Sequence, residues 1–164
     1  MGPRTVVILR HAEKPSDEAD PDLSPAGRKR GAMPAQALPK QFSPINSLFA
    51  AARSKNSNRS VETITPLANA LGLEIDDRFA DHEYAALAGI LLNEEQYRGS
   101  CIIICWHHAH IPDLAIELGV DRLDIENAPG ISNGRWDESV FDRLWILSFE
   151  DDAVQFSTET EDAV

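Results

Sequence analysis

The first residues of this chain that could do chemistry are Arg10 and His11, which directly follow the apolar run at residues 6–9. That run is rich in β-branched residues and has no polar interruption, a pattern that favours a strand buried on both faces, as in a parallel sheet. A strand that ends in Arg-His carries a fixed positive charge and an imidazole to the carboxyl edge of the sheet, where open α/β folds place their ligand sites. A polar loop with a merely solvated histidine has the same local pattern, so the assignment depends on the other strand ends.

Two further segments bring the same residue types to the ends of predicted strands. Arg59 follows the apolar run at residues 48–52 after a polar loop, and a histidine cluster, His107, His108 and His110, follows the apolar run at residues 101–106. Arginines and imidazoles that meet at one sheet edge form a pocket for a tetrahedral dianion, because guanidinium donors match phosphate oxygens.

A histidine in such a pocket can act as a nucleophile. A neutral imidazole attacks phosphorus and carries the phosphoryl group covalently, which divides one difficult step into two. The neighbouring arginine charges should favour the neutral form of His11. We expect the His11 side chain at a solvent-facing strand end, outside the core.

The elements that must position these residues alternate between strand and helix. Ser24 before Pro25 is typical of a helix start, and Ser60 is predicted to cap a second helix that Gly72 ends. The remaining predictions are a short strand at 73–75, helices at 84–97 and 112–118, an irregular segment at 121–138, strands at 143–149 and 153–158, and a frayed end at 160–164. This order predicts a single domain over residues 1–164, a three-layer α/β/α sandwich with a mostly parallel central sheet.

Composition and charge restrict the classes of function. The 164 residues fit one domain with one core, and a net charge of −12 makes nucleic acid and anionic membranes poor partners. No apolar run is long enough to span a bilayer, and the N-terminal residues lack the apolar region of a signal peptide.

Cys101 and Cys105 are predicted on one strand, about 13 Å apart and too far for a disulfide. We therefore expect reduced cysteines and a cytoplasmic location.

Four motifs, spread over most of the chain, resemble the histidine phosphatase superfamily, whose members include phosphoglycerate mutase-like and SixA-like phosphatases. They are Leu-Arg-His-Ala-Glu at residues 9–13, Leu-Ser-Pro-Ala-Gly at 23–27, Arg-x-x-Glu-Thr at 59–63, and the apolar strand that runs into His107-His108. Each motif is weak alone, and together they are specific. One departure is Ala12, where members of the superfamily commonly have glycine.

The resemblance implies a phosphoglycerate mutase-like fold and a phosphatase in which His11 is phosphorylated. It implies that Arg10, Arg59 and a second histidine bind the phosphoryl oxygens. His108 is preferred as the second histidine, because a histidine two residues after the tryptophan at the strand end resembles a variant of this motif. His107 is the alternative.

The resemblance also bears on the acid that protonates the leaving group. In the mutase-like branch a glutamate after the third strand has this role, and Glu83 is nearest to that position, with Asp81 second. A SixA-like enzyme would have no such acid. No cofactor is implied.

Three alternatives stand beside this prediction. The closely spaced histidines could bind a metal ion, but neither cysteine continues the spacing and no His-x-x-x-His helix pair occurs, so we expect none. A non-catalytic phosphate-binding or protein-interaction module could use the same fold, although retention of both histidines favours an enzyme. A phosphoglycerate mutase-type phosphotransferase is disfavoured by the small size. The predicted partner is a small phosphorylated substrate or a phosphoprotein.

Overall fold

A computed structural model describes residues 2–161 of the chain. The strands are β1 (Thr5–Arg10), β2 (Ser47–Ala50), β3 (Ile75–Asp76), β4 (Cys101–Trp106), β5 (Ile131–Ser132), β6 (Arg135–Trp136), β7 (Arg143–Glu150) and β8 (Ala153–Thr160). The α-helices are α1 (Pro25–Gln41), α2 (Arg59–Leu71), α3 (Tyr84–Asn93), α4 (Ile111–Glu117) and α5 (Arg122–Glu126). Short 3-10 helices are Asp81–Glu83, Glu95–Tyr97 and His108–His110. No helix within residues 2–161 has the length and apolar character needed to cross a membrane.

The central sheet has six strands in the order β3-β2-β4-β1-β7-β8. The first four are mutually parallel, and β7 and β8 add an antiparallel hairpin beside β1. The carboxyl ends of β1, β2 and β4 therefore lie at one edge. The prediction of a mostly parallel central sheet is confirmed.

Successive residues of β1 point into two separate cores, as the pleat of a strand requires. Val6 and Ile8 join the core under α3 and α4, whereas Val7 and Leu9 join the core under α1 and α2. The sheet is thus covered by helices on both faces, which explains why β1 and β4 are apolar throughout rather than alternating.

The start of α1 packs closely against the residues that follow β1. Ser24 caps the helix by accepting the Gly27 N–H at 2.9 Å, as predicted, and its own N–H donates to the Glu13 carbonyl at 3.0 Å. A Cβ atom on Gly27 would lie only 2.3 Å from that carbonyl oxygen. The glycine is therefore required by the close approach of α1 to the segment that carries His11.

Several predicted boundaries are wrong. Helix α2 begins at Arg59 with Asn58 before it, so Ser60 lies inside the first turn and is not the cap. The segment predicted as irregular at 121–138 contains α5 and the β5–β6 hairpin. Strand β8 continues to Thr160 and Glu161 is buried, so the end predicted to fray is ordered to that point. Residues 162–164 of that prediction lie outside the described residues.

Candidate active site

The register between β1 and β4 decides which histidines meet. Arg10 pairs with Trp106 in this parallel ladder, and the His11 N–H donates to the Trp106 carbonyl at 3.2 Å. The residues one step beyond the two strands, His11 and His107, therefore lie side by side. Their rings pack edge to face with centroids 5.1 Å apart.

His11 is buried, with 2% of its surface exposed, so the expectation of a solvent-facing side chain is wrong. Its Nδ1 lies 2.7 Å from the Ala12 carbonyl oxygen. Because that oxygen can only accept, Nδ1 carries the proton and Nε2 keeps a free lone pair. Burial lowers the pKa of His11 well below its usual value, and the charges of His107, Arg10 and Arg59 lower it further. The imidazole is thus neutral. The main cause is burial, whereas the sequence analysis attributes the neutral form to the arginine charges.

Arg10 is held by the loop before β7. Its Nη1 donates to the carbonyls of Glu138 and Val140 at 2.6 and 2.9 Å, and its guanidinium lies 3.8 Å from the centre of the Phe141 ring. The side chain is 1% exposed, and its Nε and Nη2 have no hydrogen-bond partner within residues 2–161. Burial lowers its pKa to about 10, which still leaves it charged at neutral pH. Two buried donors of a fixed cation are therefore available to a bound anion.

Arg59 is fixed from the opposite side of the site. Its Nη2 and Nε donate to the carbonyls of Asp20 and Asp22 at 2.7 and 3.2 Å, and its Nη1 lies 3.4 Å from the Ser57 hydroxyl. The side chain is 7% exposed. Its charge acts on both His11 and His107, since it lowers the pKa of each. The acidic loop before α1 thus contributes carbonyl oxygens that orient this cation.

Thr63 joins the two halves of the site. Its hydroxyl accepts the Ala12 N–H at 2.9 Å and donates to the Arg59 carbonyl at 2.7 Å. It thereby ties the residue after His11 to the first turn of α2. Sequence analysis missed Thr63, Ser57 and Phe141 as parts of the site. The local signal in the sequence is the third motif, Arg-x-x-Glu-Thr, which ends in Thr63.

The two candidate second histidines differ in position. His107 contacts His11, and burial together with the charge of Arg59 lowers its pKa to about 4. His108 opens the following 3-10 helix, and no hydrogen bond or ring contact joins it to His11 within the described residues. Burial and the charge of Arg10 lower the pKa of His108 to about 4 as well. The structure therefore brings His107 rather than the preferred His108 against His11, because the ladder aligns residues 11 and 107.

The two candidate acids, Glu83 and Asp81, also differ in their surroundings. Glu83 is exposed, and its Oε1 accepts the Ala80 N–H at 2.9 Å, so this carboxylate closes the short helix that contains it. Within residues 2–161 it makes no hydrogen bond or ion pair with the arginines or histidines. Asp81 is linked to β4, since its carbonyl accepts the Trp106 indole N–H at 3.0 Å. Its Oδ1 is buried without a partner in the described residues, and burial raises the pKa of this carboxyl group.

The site therefore offers a neutral imidazole, a second imidazole and two buried guanidinium groups, and Asp81 adds a partly buried carboxyl group near the end of β4. No group of three or more histidine, cysteine, aspartate or glutamate side chains within residues 2–161 is arranged to hold a metal ion. The positive charge of the site comes from Arg10 and Arg59, both of which act on His11 and lower its pKa.

Neither a family model nor a curated protein matches the chain in sequence. Solved structures do match it in fold. A protein from Agrobacterium tumefaciens assigned as a SixA phosphohistidine phosphatase has 15% identity and a TM-score of 0.64, covering 96% of this chain and 98% of that one. The protein histidine phosphatase SixA in complex with tungstate has 15% identity and a TM-score of 0.62, covering 97% and 98%. A mycobacterial glucosyl-3-phosphoglycerate phosphatase has 14% identity and a TM-score of 0.59, covering 96% and 97%.

These similarities show the fold. The chain has the phosphoglycerate mutase-like fold, as the motifs implied. The solved structures cover nearly its whole length, so the similarity includes the sheet, its helices and the edge where the site lies.

Proposed function

We propose that this chain is a phosphatase that hydrolyses phosphomonoesters or phosphoramidates through a phosphohistidine formed on His11. The observation that carries the proposal is the pair of unpartnered, buried donors of Arg10 beside a histidine whose Nε2 is free. A buried cation with unpaired donors is costly unless an anion uses them. A phosphoryl group supplies oxygens that match the guanidinium fork.

The first half of the reaction transfers the phosphoryl group to the protein. The substrate dianion binds with its oxygens against Arg10, Arg59 and the N–H of His107. His11 Nε2 attacks phosphorus as the bond from phosphorus to the leaving atom breaks, and Asp81 gives its proton to that atom. The Ala12 carbonyl, which accepts the Nδ1 proton, stabilises the positive charge that forms on the imidazole.

The second half returns the protein to its starting state. A water molecule attacks phosphorus and passes a proton to the Asp81 carboxylate while the nitrogen–phosphorus bond breaks. The products are the leaving alcohol or amine and inorganic phosphate, and both His11 and Asp81 recover their original protonation. The arginines stabilise the charge on the phosphoryl oxygens in both steps.

Trapping the intermediate tests this proposal. The protein is mixed with a ³²P-labelled phosphomonoester, quenched in alkali, and digested to locate the label. The expected adduct is acid-labile and base-stable, lies on His11, and is absent from His11→Ala. Because His11 is buried, circular dichroism must show that this variant is folded, and His11→Asn, which retains a polar side chain, provides a second check.

The two histidines that directly follow β4, His107 and His108, provide a matched comparison. Removal of one donor to a developing phosphoryl charge costs about 100-fold or more in rate. His107→Ala should therefore lose about that much activity, and His108→Ala much less. Label on another residue, or full activity in folded His11→Asn, would refute the covalent mechanism. A folded wild-type protein that binds phosphate but turns over no phosphomonoester would support the non-catalytic alternative.

A further inference from the structure

The imidazole of His110 lies between two carboxylates at the border of the proposed active site. Its Nδ1 is 2.9 Å from Asp113 Oδ2, and its Nε2 is 3.9 Å from Asp81 Oδ2. The Tyr84 ring stacks on the imidazole with centroids 5.0 Å apart and an interplanar angle of 29°. Three separate elements thus fix the position of one histidine that the reaction described above does not use.

This histidine is connected directly to the residue that contacts His11. The His110 N–H donates to the His107 carbonyl at 3.1 Å, which closes the short helix after β4. Asp81 is connected to the same strand through the bond between its carbonyl and the Trp106 indole. Asp81 and His110 are therefore both anchored to the end of β4, at the edge that carries the nucleophile.

The hydrogen bond with Asp113 determines how the imidazole faces Asp81. A carboxylate oxygen can only accept, so Nδ1 of His110 carries a proton and Nε2 is the atom that faces Asp81. At 3.9 Å the two groups are about 1 Å beyond hydrogen-bond distance but still close enough for a charge on one to act on the other.

The charges around this pair come from several elements. Asp81 is influenced by His110, by its neighbour His82 and by Asp113, and burial raises its pKa while the two histidines lower it. The ionisable groups around His110 are Asp81, Asp113, Tyr84 and His107.

We propose that the leaving-group acid is the Asp81–His110 pair, which shares one proton, and that Asp113 holds the imidazole in place. The inference rests on the proposed phosphatase function and adds His110 as a positioning residue that acts through Asp81. Its consequence concerns the substrate class: the pair allows the enzyme to expel poor leaving groups, such as alkyl alcohols, at neutral pH.

The proton transfers of the two half-reactions balance. As the bond from phosphorus to the leaving oxygen breaks, the one proton of the pair passes from His110 Nε2 through the Asp81 carboxylate to that oxygen, which leaves Asp81 ionised and His110 neutral. In the second half the attacking water releases a proton to Asp81, which returns it to His110. Nothing is oxidised or reduced, and the pair ends with the one proton with which it began.

The dependence of rate on the leaving group tests the pair. The substrates are a series of aryl phosphates from 4-nitrophenyl to phenyl phosphate, together with an alkyl phosphate, and the variant is His110→Gln. Departure of 4-nitrophenolate needs no acid, so its kcat should change little. For the poorer leaving groups kcat should fall about tenfold or more, as expected when general acid catalysis is weakened. Glu117→Gln, which changes an exposed carboxylate at the end of α4 that does not act on Asp81, is the control and should leave the series unchanged.

The pH profile gives a readout that a purely structural role would not change. Two groups that share a proton lose the last proton at a higher pH than either group does alone, so the pair keeps its proton to higher pH than Asp81 does by itself. In His110→Gln the alkaline limb for phenyl phosphate should move to lower pH. In an Asp81→Asn background, His110→Gln should have no further effect on the leaving-group series.

The outcomes separate the two proposals. Three results would refute the pair while label on His11 from 4-nitrophenyl phosphate still supports the phosphatase. His110→Gln could slow every substrate equally, or it could leave the alkaline limb of the pH profile in place. It could also lower kcat further in the Asp81→Asn background. If no substrate labels His11 or is turned over, the proposed function fails, and the pair with it.

Discussion

The buried carboxyl group of Glu161 should make the stability of this protein fall as the pH rises. Glu161 is 4% exposed and lies beside Met33, Pro34 and Leu144, and its Oε2 has no hydrogen-bond partner within residues 2–161. The nearest cation is Arg30, whose Nη1 is 3.7 Å from Oε2. Burial raises the pKa of Glu161 from 4.5 to about 8, against the opposing effect of Arg30.

The sign and size of the effect follow from linkage. Between these two pKa values the folded protein holds a proton that the unfolded chain has released, so the contribution is present below pH 4.5 and is lost as the pH rises through about 8. A pKa difference of about 3.5 corresponds to about 5 kcal/mol, which is an upper bound. Arg30 can move closer to an ionised Glu161, so we expect about 2 to 4 kcal/mol, a large share of a typical free energy of unfolding.

Urea denaturation between pH 5 and pH 9, followed by tryptophan fluorescence, measures this effect in the wild type and in Glu161→Gln. The amide does not ionise, so the two proteins should be of similar stability at pH 5, and the variant should be about 2 to 4 kcal/mol more stable at pH 9. Glu150→Gln removes an exposed carboxylate at the end of β7 and should follow the wild type throughout. Parallel curves for wild type and Glu161→Gln would show that this carboxyl group ionises normally in the folded protein.

Three further outcomes are expected. The pKa of His11 is lowered well below 6.5, so the acid limb of the kcat/KM pH profile should lie well below pH 6.5 after correction for ionisation of the substrate's phosphate group. An acid limb at pH 6.5 would contradict a neutral, buried nucleophile. Turnover should survive dialysis against EDTA, since the arginines supply the charge that a metal would, and restoration of lost activity by a divalent ion would refute this. Gly27→Ala should cost about 2 kcal/mol or more of stability and reduce kcat, because its Cβ would meet the Glu13 carbonyl, as overpacking at a fixed backbone predicts. The control Gly89→Ala has open space around the Cβ in α3 and should be neutral or stabilising in urea denaturation.

The strand ends were predictable because the relevant signals are local. The apolar run before Arg10 and the one before His107 each need only about six residues to be recognised, and the parallel order follows from the alternation of strands and helices. The choice between His107 and His108 was not predictable in this way. It depends on the register of β1 against β4, a pairing between residues about 95 positions apart, which no local pattern encodes.

The candidate acid shows the same limit. Glu83 and Asp81 are two residues apart, and both precede a helix, so sequence position alone does not separate them. The structure distinguishes them by their contacts. The Glu83 carboxylate accepts a backbone N–H of its own 3-10 helix, whereas the Asp81 carbonyl accepts the Trp106 indole N–H and the Asp81 carboxylate lies 3.9 Å from His110. Likewise, Glu161 lies in the segment predicted to fray, and it is buried because the end of β8 packs beside α1.

The position of the two arginines explains how a protein with a net charge of −12 could bind the phosphoryl dianion that the proposed function requires. Exposed carboxylates interact through water, where charges separated by more than about 8 Å are largely screened at physiological ionic strength. Arg10 and Arg59 are buried and are held by backbone carbonyls rather than by carboxylates, so their charge is not neutralised by an ion pair. At contact distance in a partly dry site, each guanidinium therefore outweighs the distant surface charge. Had Asp20, Asp22 and Glu138 contributed their carboxylates instead of their carbonyls, the same loops would have fixed the arginines and cancelled the field that the phosphate needs.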